Sequence, residues 1–432
     1  MSEAVRPVRG FNDILPPASA HWARVEAEAA AVLESAGYGE VRLPLVELTA
    51  LFARSIGAAS DIVEKEMYSF SDRGGDSLSL RPEATAGMVR AGITNGLFDG
   101  SQRRLWCRGP MFRHERPQKG RYRQFHQIDA EAFGMAGAGI EAELIALGAR
   151  LWKRLGLKRL ALTINSLGSF EDRVRYRERL VKYLRGHEAE LDADSRRRLA
   201  TNPLRIFDSK VAATRELLAE APRISDHLGA DAKAQFDELQ AQLDVLGITF
   251  DHDPFLVRGL DYYTGTVFEW TTDALGAQDA VCSGGRYDGL VAELGGRATP
   301  AVGWALGMER LVLLAGKEGV LDPPPGPDAY LIALGRVAEH RALAVSDRLR
   351  DELPELRLTV NADGGSLKAQ LRRADRSGAV FALILGEDEL AADTVTIKPL
   401  AGGDGQAAVA MKALGEELVR RLPDIGKRLP KR

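Results

Sequence analysis

Apolar positions along the chain change period several times, and the changes mark out elements. Trp22, Val25, Ala29, Val32 and Leu33 recur at helical spacing, with Ser19 as an expected N-cap and Gly37 as the stop. Glu40–Leu48, EVRLPLVEL, reads as one strand containing Pro44. Proline cannot donate to a ladder, so that strand belongs at an edge or an interface. Residues 53–80 read as a loop and a hairpin, and LRPEATAGMVRA, residues 80–91, passes from strand to helix. Leu105–Glu115 has no helical period. Gln124–Phe133 alternates, placing Phe125, Gln127, Asp129 and Glu131 on one face and His126, Ile128 and Ala130 on the other. These two strands flank a loop punctuated by Pro117 and Gly120. Glu141–Leu155 reads as a helix and Leu160–Asn165 as a strand. From Phe170 to about Leu246 the pattern is helical, charged and poor in aromatics, broken at Pro203 and Pro222. A strand is expected from Tyr263 to Trp270, and Val302–Leu313 passes from strand to helix. After the stiff LDPPPGPD linker, residues 321–328, short strands alternate with helices, as in a small α/β domain. The class predicted is α+β.

Composition narrows the partners. With 432 residues, 45% hydrophobic and 28% charged, the chain has material for two or three globular domains. A net charge of -3 exerts no general pull on nucleic acid, so RNA contact needs local patches. Cys107 and Cys282 are the two cysteines, in no CxxC pair, which speaks against a zinc site or a disulfide framework. No signal peptide opens the chain and no apolar run is long enough to span a bilayer, so a cytoplasmic location is expected.

Candidate chemistry gathers in a few stretches. Arg113, Arg116, Lys119, Arg121 and Arg123 face the single acid Glu115. Guanidiniums held on strands suit polyphosphate, which takes bidentate contacts. Glu83 and Thr85 either cap a helix or offer a carboxylate to an ammonium group. Arg258 reads as a structural ion-pair residue or an anion ligand, and Tyr262 and Tyr263 as core aromatics or substrate readers. Gly259, Gly284, Gly285, Gly303 and Gly307 leave room for close approach. His252, between Asp251 and Asp253, has no spaced histidine partner and reads as a surface turn. Leu367, Leu371 and Ala374 share one helix face, and Lys368, Arg372 and Arg376 share another. There is no GxxxxGK[ST]. The GxGxxA at Gly403, Gly405 and Ala408 lacks the acidic partner of a dinucleotide site.

FRHE, a basic loop and RQFHQ together resemble motif 2 of class II aminoacyl-tRNA synthetases, in the form found in histidyl-tRNA synthetases. FLVRGLDYYTGTVFEW and CSGGRYDGL resemble the two signatures peculiar to that family, and VGWALGMERLVL resembles motif 3. The Trp22 helix with the Pro44 strand resembles motif 1, a dimer interface. The resemblance implies an antiparallel-sheet catalytic core over residues 1–325, with a helical insertion at about 170–246, and an anticodon-binding domain over 326–432. It implies histidine–tRNA ligase activity in a homodimer that uses ATP, L-histidine and tRNA(His). Histidine would be held by Glu83, Thr85, Arg113, Gln127, Glu131, Arg258, Tyr262 and Tyr263. ATP would be held by Arg113, Glu115, Arg121, Arg123, Phe125 and Arg310, with adenine between Phe125 and Arg310. Arg113 and Arg258 would be catalytic. Mg²⁺ would ride on the ATP phosphates without a protein cage. Gln118, facing an extra 5′ guanosine, and Lys368, Arg372 and Arg376 would contact tRNA. The alternative is a catalytically inactive paralogue serving as a regulatory subunit of ATP phosphoribosyltransferase. Retention of Arg113, Arg258, Arg310 and the C-terminal domain argues against it. Asp129 and Ala130 depart from the family pattern, which often has glycine and another small or apolar residue there.

Overall fold

The computed structural model describes residues 5–57, 60–209, 211–276, 279–322, 325–400, 405–423 and 425. Pro323 and Pro324 of the linker and Gly403 of the GxGxxA stretch lie outside the described residues. Two compact units divide the chain, Met1–Asp322 and Pro323–Arg432.

The first unit carries β1 (Gly39–Glu40), β2 (Val46–Leu48), β3 (Ser69–Ser71), β4 (Ser77–Leu80), β5 (Arg103–Phe112), β6 (Gln124–Phe133), β7 (Ala161–Ser166), β8 (Asp251–His252), β9 (Thr266–Thr271), β10 (Ala280–Arg286) and β11 (Ala301–Gly307). Among the described residues, an eight-stranded sheet runs β1-β5-β6-β11-β10-β9-β7-β8, and β2-β4-β3 form a smaller sheet. The six central strands of the large sheet pair antiparallel; each edge adds a two-residue parallel strand, β1 on β5 and β8 on β7.

Alternation along β6 decides which face does what. Ile128 and Ala130 enter an apolar core with Trp106, Phe268 and Trp304. The helices Ala18–Ser35, Ala138–Leu155, Ala230–Val245 and Met308–Lys317 supply the other side of that core through Val25, Leu144, Leu239 and Leu311. The opposite face carries Gln127, Asp129 and Glu131 beside a second apolar cluster that includes Cys107, Phe133 and Val267.

Several local expectations need correction. The helix begins at Ala18 after Pro17, with no side-chain cap, so Ser19 sits inside its first turn. A proline at the entrance has no N–H to satisfy there. EVRLPLVEL is not one strand. It breaks between residues 41 and 45 around Pro44, and its halves β1 and β2 join different sheets. The strand after Leu105 ends at Phe112, and Tyr262 and Tyr263 sit in a turn before β9 begins at Thr266. His252 lies on β8 rather than in a turn, with its ring 5.2 Å from that of Phe236.

Helices follow β7 as the charge pattern predicts. Phe170–Gly186 starts with a reciprocal cap: Ser169 Oγ accepts from Asp172 N at 3.1 Å, and Asp172 accepts from Ser169 N at 2.9 Å. Asp172 also accepts from Gly229 N at 3.0 Å, just before Ala230–Val245.

The second unit carries β12 (Ala329–Ala333), β13 (Leu358–Val360), β14 (Phe381–Leu385), β15 (Thr394–Pro399) and β16 (Ala407–Ala410), ordered β13-β12-β14-β15-β16. The first three in that order are parallel and the last two antiparallel. The pattern reading missed β16. Its four residues are alanine and valine, too short a run to announce a strand. Leu331, Leu383 and Ile397 form the core with Val345 and Leu349 of Arg336–Glu352 and Leu418 of Leu414–Arg421.

Candidate active site

A cleft of about 270 Å³ opens on the second face of the large sheet. Gln127, Asp129 and Glu131 enter it from β6, because they share the parity that Ile128 and Ala130 do not. Small residues stand opposite them: Gly109 and Gly307 beside Gln127, Cys107 and Ala305 beside Asp129, Gly303 beside Glu131. A Cβ on Gly303 would overlap the Glu131 carboxyl group, so the glycine is required by close approach.

The cleft also receives Glu83, Thr85, Arg113, Glu115, Arg121, Phe125, Arg258, Tyr262, Tyr263 and Arg310. Twelve of the expected ligands therefore line one cavity. Arg123 does not. Its Nε donates to Glu115 O at 3.2 Å and its side chain lies against Gly10, in the stretch before the helix Ala18–Ser35. Gln118 is exposed on the tip between β5 and β6, where it exchanges two 2.9 Å backbone bonds with Arg121. Lys368, Arg372 and Arg376 lie in the second unit, exposed on the helix Leu367–Arg376.

The acids are held differently from one another. Glu83 caps the helix Thr85–Thr94, accepting from Thr85 N at 2.6 Å and Ala86 N at 3.0 Å. Capping and cavity lining thus coincide in one residue. Glu131 accepts from Thr85 Oγ1 at 2.6 Å and from the Tyr287 hydroxyl. Burial pushes its pKa up to about 8, against the pull of those two donors. Burial likewise raises the pKa of Glu83, and burial with the nearby Glu131 and Glu83 charges raises that of Asp129.

The cations crowd together. Arg113 donates from Nε to Pro82 O at 2.8 Å, and its guanidinium lies 5.2 Å over the Phe125 ring. Phe125 is therefore already stacked from one side by Arg113, while Arg310 donates to Gly120 O at 3.2 Å and Ala280 O at 2.6 Å. Arg258 pairs with Glu269, donates to Ser283 Oγ at 2.8 Å and lies 5.9 Å over the Tyr263 ring. Arg121 pairs with Glu115. Burial, then the positive charges of Arg121 and Arg113, lowers the Arg310 pKa. Mutually repelling guanidiniums are a receptor for a multiply charged anion.

Sequence reasoning missed Glu269, Ser283, Tyr287 and Glu309. Glu309 accepts from both His126 N and His126 Nδ1 at 3.0 Å. Tyr287 stands inside the CSGGRYDGL stretch, but only the fold brings its hydroxyl to Glu131. The helical stretch after β7 also reaches the site: Arg173 donates to Tyr263 O at 2.7 Å and Arg205 to Gly259 O at 3.0 Å. Those bonds hold the backbone that carries Arg258, Tyr262 and Tyr263. Both cysteines are buried, and burial raises their pKa, so neither offers a thiolate. Among the described residues no group of three or more His, Cys, Asp or Glu is placed to hold a metal.

An antiparallel sheet floored by acids, with arginines on its motif 2 hairpin and on the helix after its last strand, defines the catalytic core of a class II aminoacyl-tRNA synthetase. The comparisons carry this further. Residues 10–311 match the histidyl-tRNA synthetase family, and residues 328–421 match an anticodon binding domain. A histidine–tRNA ligase of Alkalilimnicola ehrlichii is 52% identical over 425 residues, covering 98% of each chain. One from Halorhodospira halophila is 55% identical over 405 residues, covering 94% of this chain and 95% of the relative. The apo histidyl-tRNA synthetase of Staphylococcus aureus superposes with a TM-score of 0.81 at 34% identity, covering 96% of this chain and all of the other. The chain belongs to the histidyl-tRNA synthetase family.

Proposed function

We propose that the cleft on β6 activates L-histidine with ATP and then passes the histidyl group to the 3′ end of tRNA(His), as a histidine–tRNA ligase. One observation carries the residue-level reading: a single cavity holds both a row of buried acids and a cluster of repelling arginines. Acids suit the amino and imidazole groups of the amino acid, and arginines suit the triphosphate and the carboxylate. The regulatory-subunit alternative leaves that double character without a use.

In the first step a histidine carboxylate oxygen attacks the α-phosphorus of ATP, and pyrophosphate leaves. Arg113 and Arg258 neutralise charge on the α-phosphate and the attacking carboxylate. Arg121 and Arg310 take the outer phosphates, and Phe125 offers the adenine a stacking face. Arg123 acts indirectly, by bracing the turn that carries Glu115 and Arg121. Tyr263 and Glu131 read the imidazole, and Glu83, Thr85, Gln127 and Tyr262 complete the amino-acid pocket. In the second step the terminal ribose hydroxyl of tRNA attacks the aminoacyl carbonyl and AMP leaves. Mg²⁺ would enter with ATP, since Glu115 and Glu269 of the cleft are each paired with a guanidinium. Its ligands would be phosphate oxygens and water.

The catalytic domain is residues 1–325, with the helical insertion at about 170–246, and residues 326–432 form the anticodon-binding domain. Lys368, Arg372 and Arg376 meet RNA phosphate there, and Gln118 meets the acceptor end. The protein is a homodimer. The supporting feature is the small sheet, where Leu48, Leu78 and Phe70 stand in register across β2-β4-β3, with Leu48 55% and Phe70 47% exposed. An apolar row of this kind calls for a partner. The helix Ala18–Ser35 is the weaker support, since it turns Val25, Ala29, Val32 and Leu33 inward. No helix among the described residues is long and apolar enough to cross a membrane. We place the protein in the cytoplasm.

The decisive assay is ATP–pyrophosphate exchange across the amino acids. Exchange is expected with histidine alone; exchange with another amino acid and none with histidine would overturn the substrate assignment.

A further inference from the structure

The first residues of β6 lie beyond the end of β11, whose last pair with it is Gly307 with Gln127. Their backbone N–H groups turn to other acceptors. On one edge of the strand, His126 N donates to Glu309 at 3.0 Å and Gln124 N donates to Gly10 O at 3.2 Å. Arg123 N donates to the same Gly10 oxygen at 2.9 Å. Gly10 belongs to the stretch before the helix Ala18–Ser35. Its φ of +88°, and its approach to Arg123, whose Cγ a Cβ would meet at 2.8 Å, both favour glycine there.

Phe11 follows, and it reaches the other strand of the hairpin. Its ring centroid lies 6.3 Å from that of Phe112, the last residue of β5, and 5.9 Å from that of Tyr68. Tyr68 in turn lies 5.6 Å from the ring of His114, whose N donates to Glu66 O at 2.6 Å. Arg113 therefore stands between two residues, Phe112 and His114, that one aromatic row connects. Across the hairpin Arg113 N donates to Arg123 O at 2.9 Å, a rung just outside both strands. Arg123 Nε then donates to Glu115 O at 3.2 Å, and Glu115 pairs with Arg121. Residues 5–9, 12 and 13 are exposed, whereas Gly10 and Phe11 are partly covered. The grip of this stretch on the hairpin thus falls on Gly10 and Phe11.

We propose that Gly10 and Phe11 are positioning residues for the adenylation step, a clamp on both strands of the β5–β6 hairpin where the ATP-facing groups leave them; this rests on the histidine-activating reading. Gly10 fixes the start of β6, which carries Phe125. Phe11 fixes the end of β5, which leads into Arg113. The Arg113 guanidinium lies over the Phe125 ring, so one clamp sets the spacing between a stacking face for adenine and a ligand for the α-phosphate. Gly10 and Phe11 stand outside the cleft lining and act through the backbone they hold. The amino-acid side of the cleft is fixed by other means: Glu131 by Thr85 and Tyr287, and Glu83 by the N–H groups of Thr85 and Ala86.

Phe11→Ala in the full chain is read in two ways. Amide hydrogen exchange of the ligand-free protein tests the clamp without any chemistry. Residues 113–124 should exchange roughly 10-fold faster than in wild type, while β9 and β10 keep their protection. Histidine-dependent ATP–pyrophosphate exchange tests the consequence. The KM for ATP should rise roughly 10-fold, the scale of two lost aromatic contacts, and the KM for histidine should stay within about twofold. Phe11→Tyr keeps the ring and should restore both readouts. Unchanged hydrogen exchange over 113–124, faster exchange there with an unchanged ATP KM, or an equal rise in both KM values would make Phe11 an ordinary packing residue and overturn the proposal. Should Phe11→Ala fail to fold, Phe11→Leu keeps apolar bulk, loses the ring and carries the same expectations. A wild-type protein without histidine-dependent exchange would bring down the histidine-activating reading and the catalytic role of the clamp with it, whereas hydrogen exchange judges the clamp by itself.

Discussion

Arg258 carries the sharpest expectation at the level of single side chains. Its guanidinium is planar and permanently charged, so it can bridge an α-phosphate oxygen and a carboxylate oxygen at once. Preorganised charge of that kind is worth roughly 10²–10⁵ in rate, and Arg258→Ala should slow adenylate formation by that much. Arg258→Lys should recover little, because an ammonium group lacks the fork. Transfer from preformed histidyl-adenylate should suffer less. Single-turnover assays of the two steps check this, and a folded Ala variant with normal adenylation but failed transfer would move Arg258 to tRNA positioning. Glu131 makes a different expectation, about stability. Burial holds it near 8 in the fold, while an unfolded chain returns it to about 4.3. The folded state thus binds the proton more tightly, and the stability this provides is complete below about pH 4 and lost as pH rises towards 8. The melting temperature of the ligand-free protein should therefore fall from pH 5 to pH 8, and Glu131→Gln should flatten that part of the curve. An unchanged slope in the variant would remove Glu131 as the cause.

At the level of elements, β6 and its neighbours were the most legible part of the chain and the connecting turns the least. The period of two along Gln124–Phe133 gave the strand bounds and the polar positions, because Ile128 and Ala130 alternate with Gln127, Asp129 and Glu131. Tyr262 and Tyr263 could not be placed in the same way. They precede β9 in a turn whose shape depends on Arg173 and Arg205, distant residues with no local signal. Pro44 announced an irregularity, but not that the chain leaves one sheet for another at that point. The Tyr287 bond to Glu131 spans 156 residues and was invisible for that reason. The pairing of β10 with β11 also yields an expectation. Gly303 faces Gly285 across the strands and Glu131 on β6. Gly303→Ala would press a methyl group onto the Glu131 carboxyl and the Ala130 carbonyl. Overpacking at a fixed backbone costs about 1–3 kcal/mol, so histidine KM should rise roughly 10- to 100-fold with the ATP KM little changed. A normal histidine KM in the variant would show that β11 can move aside.

For the whole molecule, the two units have separate cores, one around Trp106 and Leu144 and another around Leu331 and Leu383. Ending the chain after residue 325 should therefore spare histidine activation far more than tRNA charging. Equal loss of both in a folded protein would count against an RNA-binding role for the second unit. The proposed homodimer is checked by sedimentation of Phe70→Asp, which should shift the protein towards monomer. The two faces of β6 have one more consequence. Because side chains alternate, a slip of one residue against β5 or β11 would drive Gln127, Asp129 and Glu131 into the oil of Trp106 and Trp304, and would leave Ile128 and Ala130 in the cleft. A misregistered chain is therefore strongly destabilised rather than well folded and inactive. The carboxyl groups proposed to serve the substrate thus double as a spelling check during folding, because a chain that fails it cannot form the stable sheet.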